Sequence, residues 1–185
     1  GVQAGLDFIV NVMMDGRGTI LDCVAGDLVA AHREGVRRCR SYHEVRIPRE
    51  ADIVVVDGCP FDIEFWQVNK AVDTAGLVVR QGGIVICVSP CYEGFSRTHA
   101  GVLLEYGYRP RHEIEELVRS GRIAHKVVGV HMIQVGEVAV EKAALYLVTD
   151  GISRQDVERV GLRYAPTAQQ ALDEALEALG ADAQV

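Results

Sequence analysis

Gln67 and Lys70 stand three residues apart in a stretch that reads as a helix, so both side chains project from one face toward a shared ligand. An amide and an ammonium together suit a 2-hydroxy or 2-keto acid. The amide bonds the hydroxyl or carbonyl oxygen while the cation holds the carboxylate. The same spacing also describes an ordinary solvated polar face, so the pair needs a setting before it means anything. Cys59 and Cys91 are candidate thiolate nucleophiles only if a histidine lies beside one of them, and small buried thiols are the commoner use. His99, His112, His125 and His131 lack metal-gathering spacing, so no metal site is expected within the chain. Glu113, Glu115 and Glu116 read as a solvated helical turn rather than a catalytic carboxylate pair. No Gly-x-Gly-x-x-Gly or P-loop run occurs, which argues against an ordinary dinucleotide or ATP site.

The elements that must position these residues follow from the apolar pattern. Leu6 to Met14, the turn Asp15-Gly16-Arg17-Gly18 and Thr19 to Ala25 predict a β-hairpin. Asp27 is placed to cap a following helix that presents Leu28, Val29, His32, Val36 and Cys39 and ends before Ile47-Pro48. Four consecutive β-branched residues, Ile53 to Val56, predict a strand buried on both faces of a parallel sheet. Gly58-Cys59-Pro60 breaks that strand. A helix is expected from Asp62 to about Ala75 with Ile63, Trp66, Ala71 and Ala75 inward, then a second buried strand, Ile84 to Val88. Further helices are expected at Arg111 to Ser120 and near His131 to Glu141, then a strand at Ala144 to Val148, with Ser153 and Thr167 as N-caps of the last two helices. Alternating strands and helices predict an α/β fold: a three-layer α/β domain with a mainly parallel sheet plus an N-terminal β-hairpin, residues 1–185 forming one domain. Ligands of such sheets bind outside the carboxyl ends of the strands, which here selects the loops Gly58 to Phe61 and Ser89 to Gly94.

Composition narrows the function. A hydrophobic content of 49% over 185 residues is enough for a sizeable core without disulfide staples. The net charge of −7 leaves no basic stripe for nucleic acid, and no apolar run is long enough for a membrane span. Five cysteines without regular spacing read as reduced thiols, and the start lacks a signal peptide, so a cytoplasmic protein is expected. The chain opens on Gly1 and stops just past the helical run ending at Gly180, so it is expected to be part of a longer polypeptide.

The run Asp57-Gly58-Cys59-Pro60-Phe61-Asp62-Ile63-Glu64-Phe65-Trp66-Gln67-Val68-Asn69-Lys70 resembles a segment of the nickel-pincer lactate racemase family that reads Gly-x-Pro-x-Asp, four residues, Gln, two residues, Lys. Phe8 to Val12, Val24 to Asp27, Ala31-His32, Gly82-Gly83 and Cys91 to Gly94 extend the likeness, all within that family's C-terminal domain. The resemblance implies a racemase or epimerase of 2-hydroxy acids that uses a nickel pincer nucleotide derived from nicotinic acid as hydride carrier. It assigns substrate oxygens to Gln67 and Lys70. It sets Trp66 near the cofactor, and His131 begins a helix that would approach it. The catalytic histidines, cofactor lysine and nickel ligand of the family belong to its N-terminal domain. No catalytic residue and no bound cofactor are therefore expected in this chain, which would be inactive alone and partnered by the N-terminal domain of the same polypeptide. Phe61 replaces a residue that is often polar in the family, pointing to a larger or more apolar acid than lactate. The alternative is a non-catalytic small-acid-binding or protein-interaction domain on the same scaffold.

Overall fold

The computed structural model describes residues 1–185, which divide into two compact units, Gly1–Pro48 and Arg49–Val185. In the first, β1 (Ile9–Met14) and β2 (Ile20–Gly26) pair antiparallel around a turn in which Asp15 Oδ1 accepts from the backbone N–H of Arg17 and Thr19. Helix α1 (Leu28–His43) follows. Its N-cap is Asp27, whose Oδ1 accepts from Val29 and Ala30, as the sequence indicated. The helix buries Ala31 and Gly35 rather than the larger residues expected; Val29 and Val36 stay exposed. Gly35 explains this phase, because a Cβ there would lie 3.1 Å from Val24 of the hairpin. Small residues let the helix approach the strands closely.

The second unit holds a wholly parallel four-stranded sheet in the order β3 (Ala51–Asp57), β4 (Val79–Val88), β5 (Ala143–Val148), β6 (Arg163–Ala165). Between the strands lie α2 (Phe65–Gly76), then α3 (Ala100–Tyr106), α4 (Arg111–Arg119) and α5 (Lys126–Ala139), then α6 (Arg154–Arg159), with α7 (Ala168–Leu179) last. Side chains alternate across the sheet. Val85, Cys87, Leu145 and Leu147 pack with Phe65, Val68 and Val72 of α2 and Met132 and Val135 of α5. Ile53, Ile84, Ile86, Tyr146 and Val148 pack instead with Ala171 and Ala175 of α7. Helices thus cover both faces, which gives the three layers and explains why β4 and β5 read as continuous apolar runs. β3 differs from expectation. It is an edge strand, so Ile53 is sealed but Val55 is 48% exposed.

Two boundaries moved for reasons that lie far away in sequence. Helix α2 starts at Phe65, three residues after Asp62, because the N–H groups of Phe65 and Trp66 donate to the carbonyls of Gly94 and Phe95. The loop after β4 thereby satisfies donors that a helix start leaves open. The later start shifts the buried face to Phe65, Val68, Val72 and Ala75, and Ile63 is left exposed. Helix α5 begins at Lys126, five residues before His131, which therefore sits in the middle of the helix and not at its start. No helix is long and apolar enough to cross a membrane.

Candidate functional site

Both loops selected from the sequence lie at the carboxyl edge of the sheet and are stitched to it. Gly58 donates to Val88, and Ser89 donates to Val148, each at 2.9 Å. Only glycine fits at 58, since a Cβ there would come within 2.6 Å of Ser89 Oγ. The loop turns on Cys59 N–H donating to Asp57 Oδ1 and Phe61 N–H donating to the Gly58 carbonyl, and it delivers the chain to α2.

On α2, Gln67 and Lys70 do meet: the Lys70 ammonium donates to Gln67 Oε1. Because lysine offers only donors, the amide oxygen must face it, which leaves the Gln67 amide N–H groups free to point elsewhere. Lys70 Nζ also lies 4.6 Å from the centroid of the Phe61 ring, and it forms no ion pair. The Lys70 ammonium is thus an exposed cation flanked by an amide and an aromatic ring, without a carboxylate of its own.

Gln67 and Trp66 form a ridge between two clefts. One, of about 320 Å³, runs between α2 and α5 and is lined by Trp66, Gln67, Asn69, Lys70, Asp73, Val127, Val130, His131 and Gln134. The other, of about 560 Å³, lies on the side of the loop after β4, where Glu64, Arg97 and His99 join the ridge. Arg97 is already paired with Glu93, and its N–H donates to Glu64 Oε2, so the second cleft offers a compensated charge.

The ridge is backed by aromatic rings. Trp66 stacks on His131 with ring centroids 4.1 Å apart and planes 17° from parallel, and His99 lies 4.8 Å from the indole in a tilted arrangement. His131 is 4% exposed and pairs through Nε2 with the Tyr108 hydroxyl at 3.2 Å. Burial, with a smaller contribution from the charge of His99, pushes its imidazole down to about 4, so it is neutral near pH 7. Burial likewise raises the Tyr108 phenol well above its ordinary range, so that hydroxyl keeps its proton.

Asn69 and Asp73 were not singled out from the sequence. Asn69 interrupts the apolar stripe of α2, is 5% exposed, and its Oδ1 has no hydrogen-bond partner. Its Nδ2 makes only a long 3.4 Å contact with Asp73. An orphaned buried acceptor costs about 1–3 kcal/mol, which makes it a feature that requires an explanation. A polar residue on an otherwise apolar helical stripe, one turn from a second polar residue, was the available signal. Asp73 is held above the usual carboxylate range, first by burial and then by the charge of Glu137.

The cysteines do not form a nucleophilic site. Cys91 is fully buried, its thiol donates to Ser89 Oγ, and burial raises it away from the thiolate. Cys59 is exposed, and the histidines His99, His125 and His131 gather around Trp66 and one another. No group of three His, Cys, Asp or Glu side chains is placed to hold a metal ion.

Comparison with known proteins gives a consistent set of likenesses. Residues 47–185 match the family described as the lactate racemase C-terminal domain. The chain is 30% identical over 96 residues to a lactate racemase of Thermoanaerobacterium thermosaccharolyticum, an alignment covering 50% of this chain and 22% of that protein. It is 32% identical over 92 residues to a lactate racemase of Lactiplantibacillus plantarum, covering 49% and 22%. The structure of the lactate racemase apoprotein from T. thermosaccharolyticum superposes with a TM-score of 0.77 at 22% identity, over 99% of this chain and 44% of that one. A crystal structure of a Thermotoga maritima protein superposes with a TM-score of 0.68 at 18% identity, over 91% and 45%. The chain thus spans less than half the length of these relatives.

Proposed function

Since the chain belongs to the lactate racemase C-terminal domain family, we propose that it forms the substrate-contacting half of a 2-hydroxy acid racemase or epimerase, completed by an N-terminal domain of the same polypeptide. The observation that carries this reading is Lys70, an exposed ammonium without a carboxylate partner, tied to Gln67 at the wall of the α2–α5 cleft. Its free donors take the substrate carboxylate. Gln67, with its oxygen turned toward Lys70, presents its N–H groups to the oxygen on C2. That donor suits the keto form more than the hydroxyl form, so it stabilises the oxidised substrate while hydrogen is off C2. Tying Gln67 to Lys70 fixes both groups in one orientation, so the acid is held with one end anchored.

Trp66 fits a flat pyridine-derived ring. Its indole is backed by the neutral His131 and lies beside Gln67, so it supplies a rigid aromatic wall against which such a ring would stack. His131 acts on that wall from behind, through Tyr108 and Trp66, with 4% of its surface open. When bound, a nickel pincer nucleotide supplies hydride acceptance and return at C2. The nickel ligands and the proton-moving residues would come from outside this chain, which alone would bind acid without turning it over.

The test uses the full-length protein reconstituted with cofactor. Lys70→Ala should abolish interconversion of 2-hydroxy acid enantiomers, read by chiral chromatography, with the urea unfolding midpoint unchanged. Undiminished activity would refute the role of Lys70 and the reading with it.

A further inference from the structure

His131 has a hydrogen-bonding atom that the packing of α2 on α5 leaves unused. The phenol of Tyr108 is buried and reaches a single partner, His131 Nε2, at 3.2 Å. If Nε2 carried the proton, the hydroxyl would have to accept it, and its own proton would be left in the core without an acceptor. Tyr108 therefore donates to Nε2. The neutral imidazole then carries its one proton on Nδ1. Nδ1 makes no hydrogen bond within the chain, yet it is not sealed in, since Asn69 Oδ1 alone is both sealed and without a partner. His131 lines the α2–α5 cleft, and that is where the open edge of its ring lies.

We propose that His131 Nδ1–H is a third donor of the acid site, binding one carboxylate oxygen of the 2-hydroxy acid whose other carboxylate oxygen is held by Lys70. This rests on the acid-binding role proposed for Gln67 and Lys70 and adds a residue from the facing helix. Lys70 is a point charge on a flexible stem, which attracts a carboxylate without fixing its plane. His131 is held by its stack on Trp66, 4.1 Å between centroids, and by Tyr108, so its N–H has one direction before any acid arrives. Gln67 and Lys70 line the cleft from α2 and His131 lines it from α5, so the shared carboxylate is gripped from both walls. A neutral N–H also adds no second positive charge beside Lys70. Tyr108 is a positioning residue in this arrangement: it touches no ligand and acts by keeping the proton off Nε2.

The experiment uses the full-length protein, reconstituted with cofactor and isotope-labelled at the histidine nitrogens, with racemic lactate as the probe because turnover leaves its composition unchanged. Nitrogen NMR distinguishes the imidazole tautomers, and the His131 signals are those missing from His131→Phe. Before lactate is added, His131 should show a protonated Nδ1 and a bare Nε2. Lactate should then shift Nδ1, and Tyr108→Phe should return the ring toward the Nε2–H form. In calorimetric titration, His131→Phe, which keeps a ring on Trp66, should weaken lactate binding at least about tenfold, as loss of a bond to a charged acceptor does. Tyr108→Phe should weaken it about two- to fivefold. An Nε2–H tautomer in the native protein would overturn the inference whether or not either variant folds. So would lactate binding that is lost in Lys70→Ala and unchanged in His131→Phe, an outcome that leaves the acid site standing. Absence of lactate binding, or binding untouched by Lys70→Ala, would remove the acid site and this inference together.

Discussion

Trp66 and His131 meet ring against ring, 4.1 Å between centroids, although one belongs to α2 and the other to α5. The indole that the pair fixes is the chain neighbour of Gln67, the residue proposed to contact substrate. Its histidine is neutral and buried, with a hydroxyl from Tyr108 as its polar partner.

That burial makes folding sensitive to acid. The folded chain holds His131 near 4, against an ordinary value near 6.5, so the unfolded chain binds the extra proton over that interval. Stability is complete above about pH 6.5 and falls as pH drops toward about 4, by up to about 3 kcal/mol. Asp73, whose carboxyl is raised, titrates in the opposite sense, so Asp73→Asn is the background in which to measure it. Urea unfolding at pH 7 and pH 4.5 should show the loss, and His131→Phe, which keeps an aromatic ring on Trp66, should flatten it. A slope unchanged by His131→Phe would assign the effect to other groups.

Phe61 should matter through Lys70. A ring 4.6 Å from an exposed ammonium contributes about 0.5–1 kcal/mol, and it restricts where the lysine points. Phe61→Ala is expected to weaken acid binding about two- to fivefold with no change in unfolding midpoint. Tighter binding of acid by that variant would show that the ring blocks the site and does not orient the cation.

Gly151 joins the loop after β5 to the loop that carries Cys91. A Cβ there would fall 2.1 Å from the Cys91 carbonyl oxygen and 2.5 Å from that of Pro90, both backbone atoms. Gly151→Ala should therefore destabilise the second unit by about 2–3 kcal/mol in denaturant unfolding, as overpacking does. A difference under about 0.5 kcal/mol would mean the two loops can separate without cost.

Gln67→Leu separates binding from chemistry. If the amide serves mainly the keto form, kcat should fall much more than KM changes in the full-length enzyme. An equal loss in binding of the hydroxy acid, with kcat preserved, would assign it to ground-state binding.

How much of this could be read from the chain depends on how local each feature is. The β4 and β5 strands were legible because both faces are covered, which writes an unbroken apolar run into the sequence. Asp27, Ser153 and Thr167 were legible as caps because a side chain bonds an N–H two or three residues away. That Gln67 and Lys70 share one helix face was legible because helical spacing alone brings them together. The start of α2 was not, since its donors are satisfied by Gly94 and Phe95 from beyond the next strand. Asn69, His131 and Tyr108 acquire their meaning only when α2, α5 and the segment between α3 and α4 pack, and no local pattern encodes that meeting. The edge position of β3 was hidden for the same reason: strand order is a property of the assembled sheet.

That edge position carries a consequence for solubility. The first part of β3 is not left bare: the N–H groups of Asp52 and Ile53 both donate to the carbonyl of Gln184, and the Gln184 N–H donates back to Asp52 Oδ2. The segment after α7 therefore occupies backbone groups that would otherwise template pairing with a second molecule, and Arg80 holds Asp52 from the β4 side. Trimming residues 181–185 would uncover the backbone groups of Asp52 and Ile53 and leave that end of the strand open to edge-to-edge pairing with a second copy.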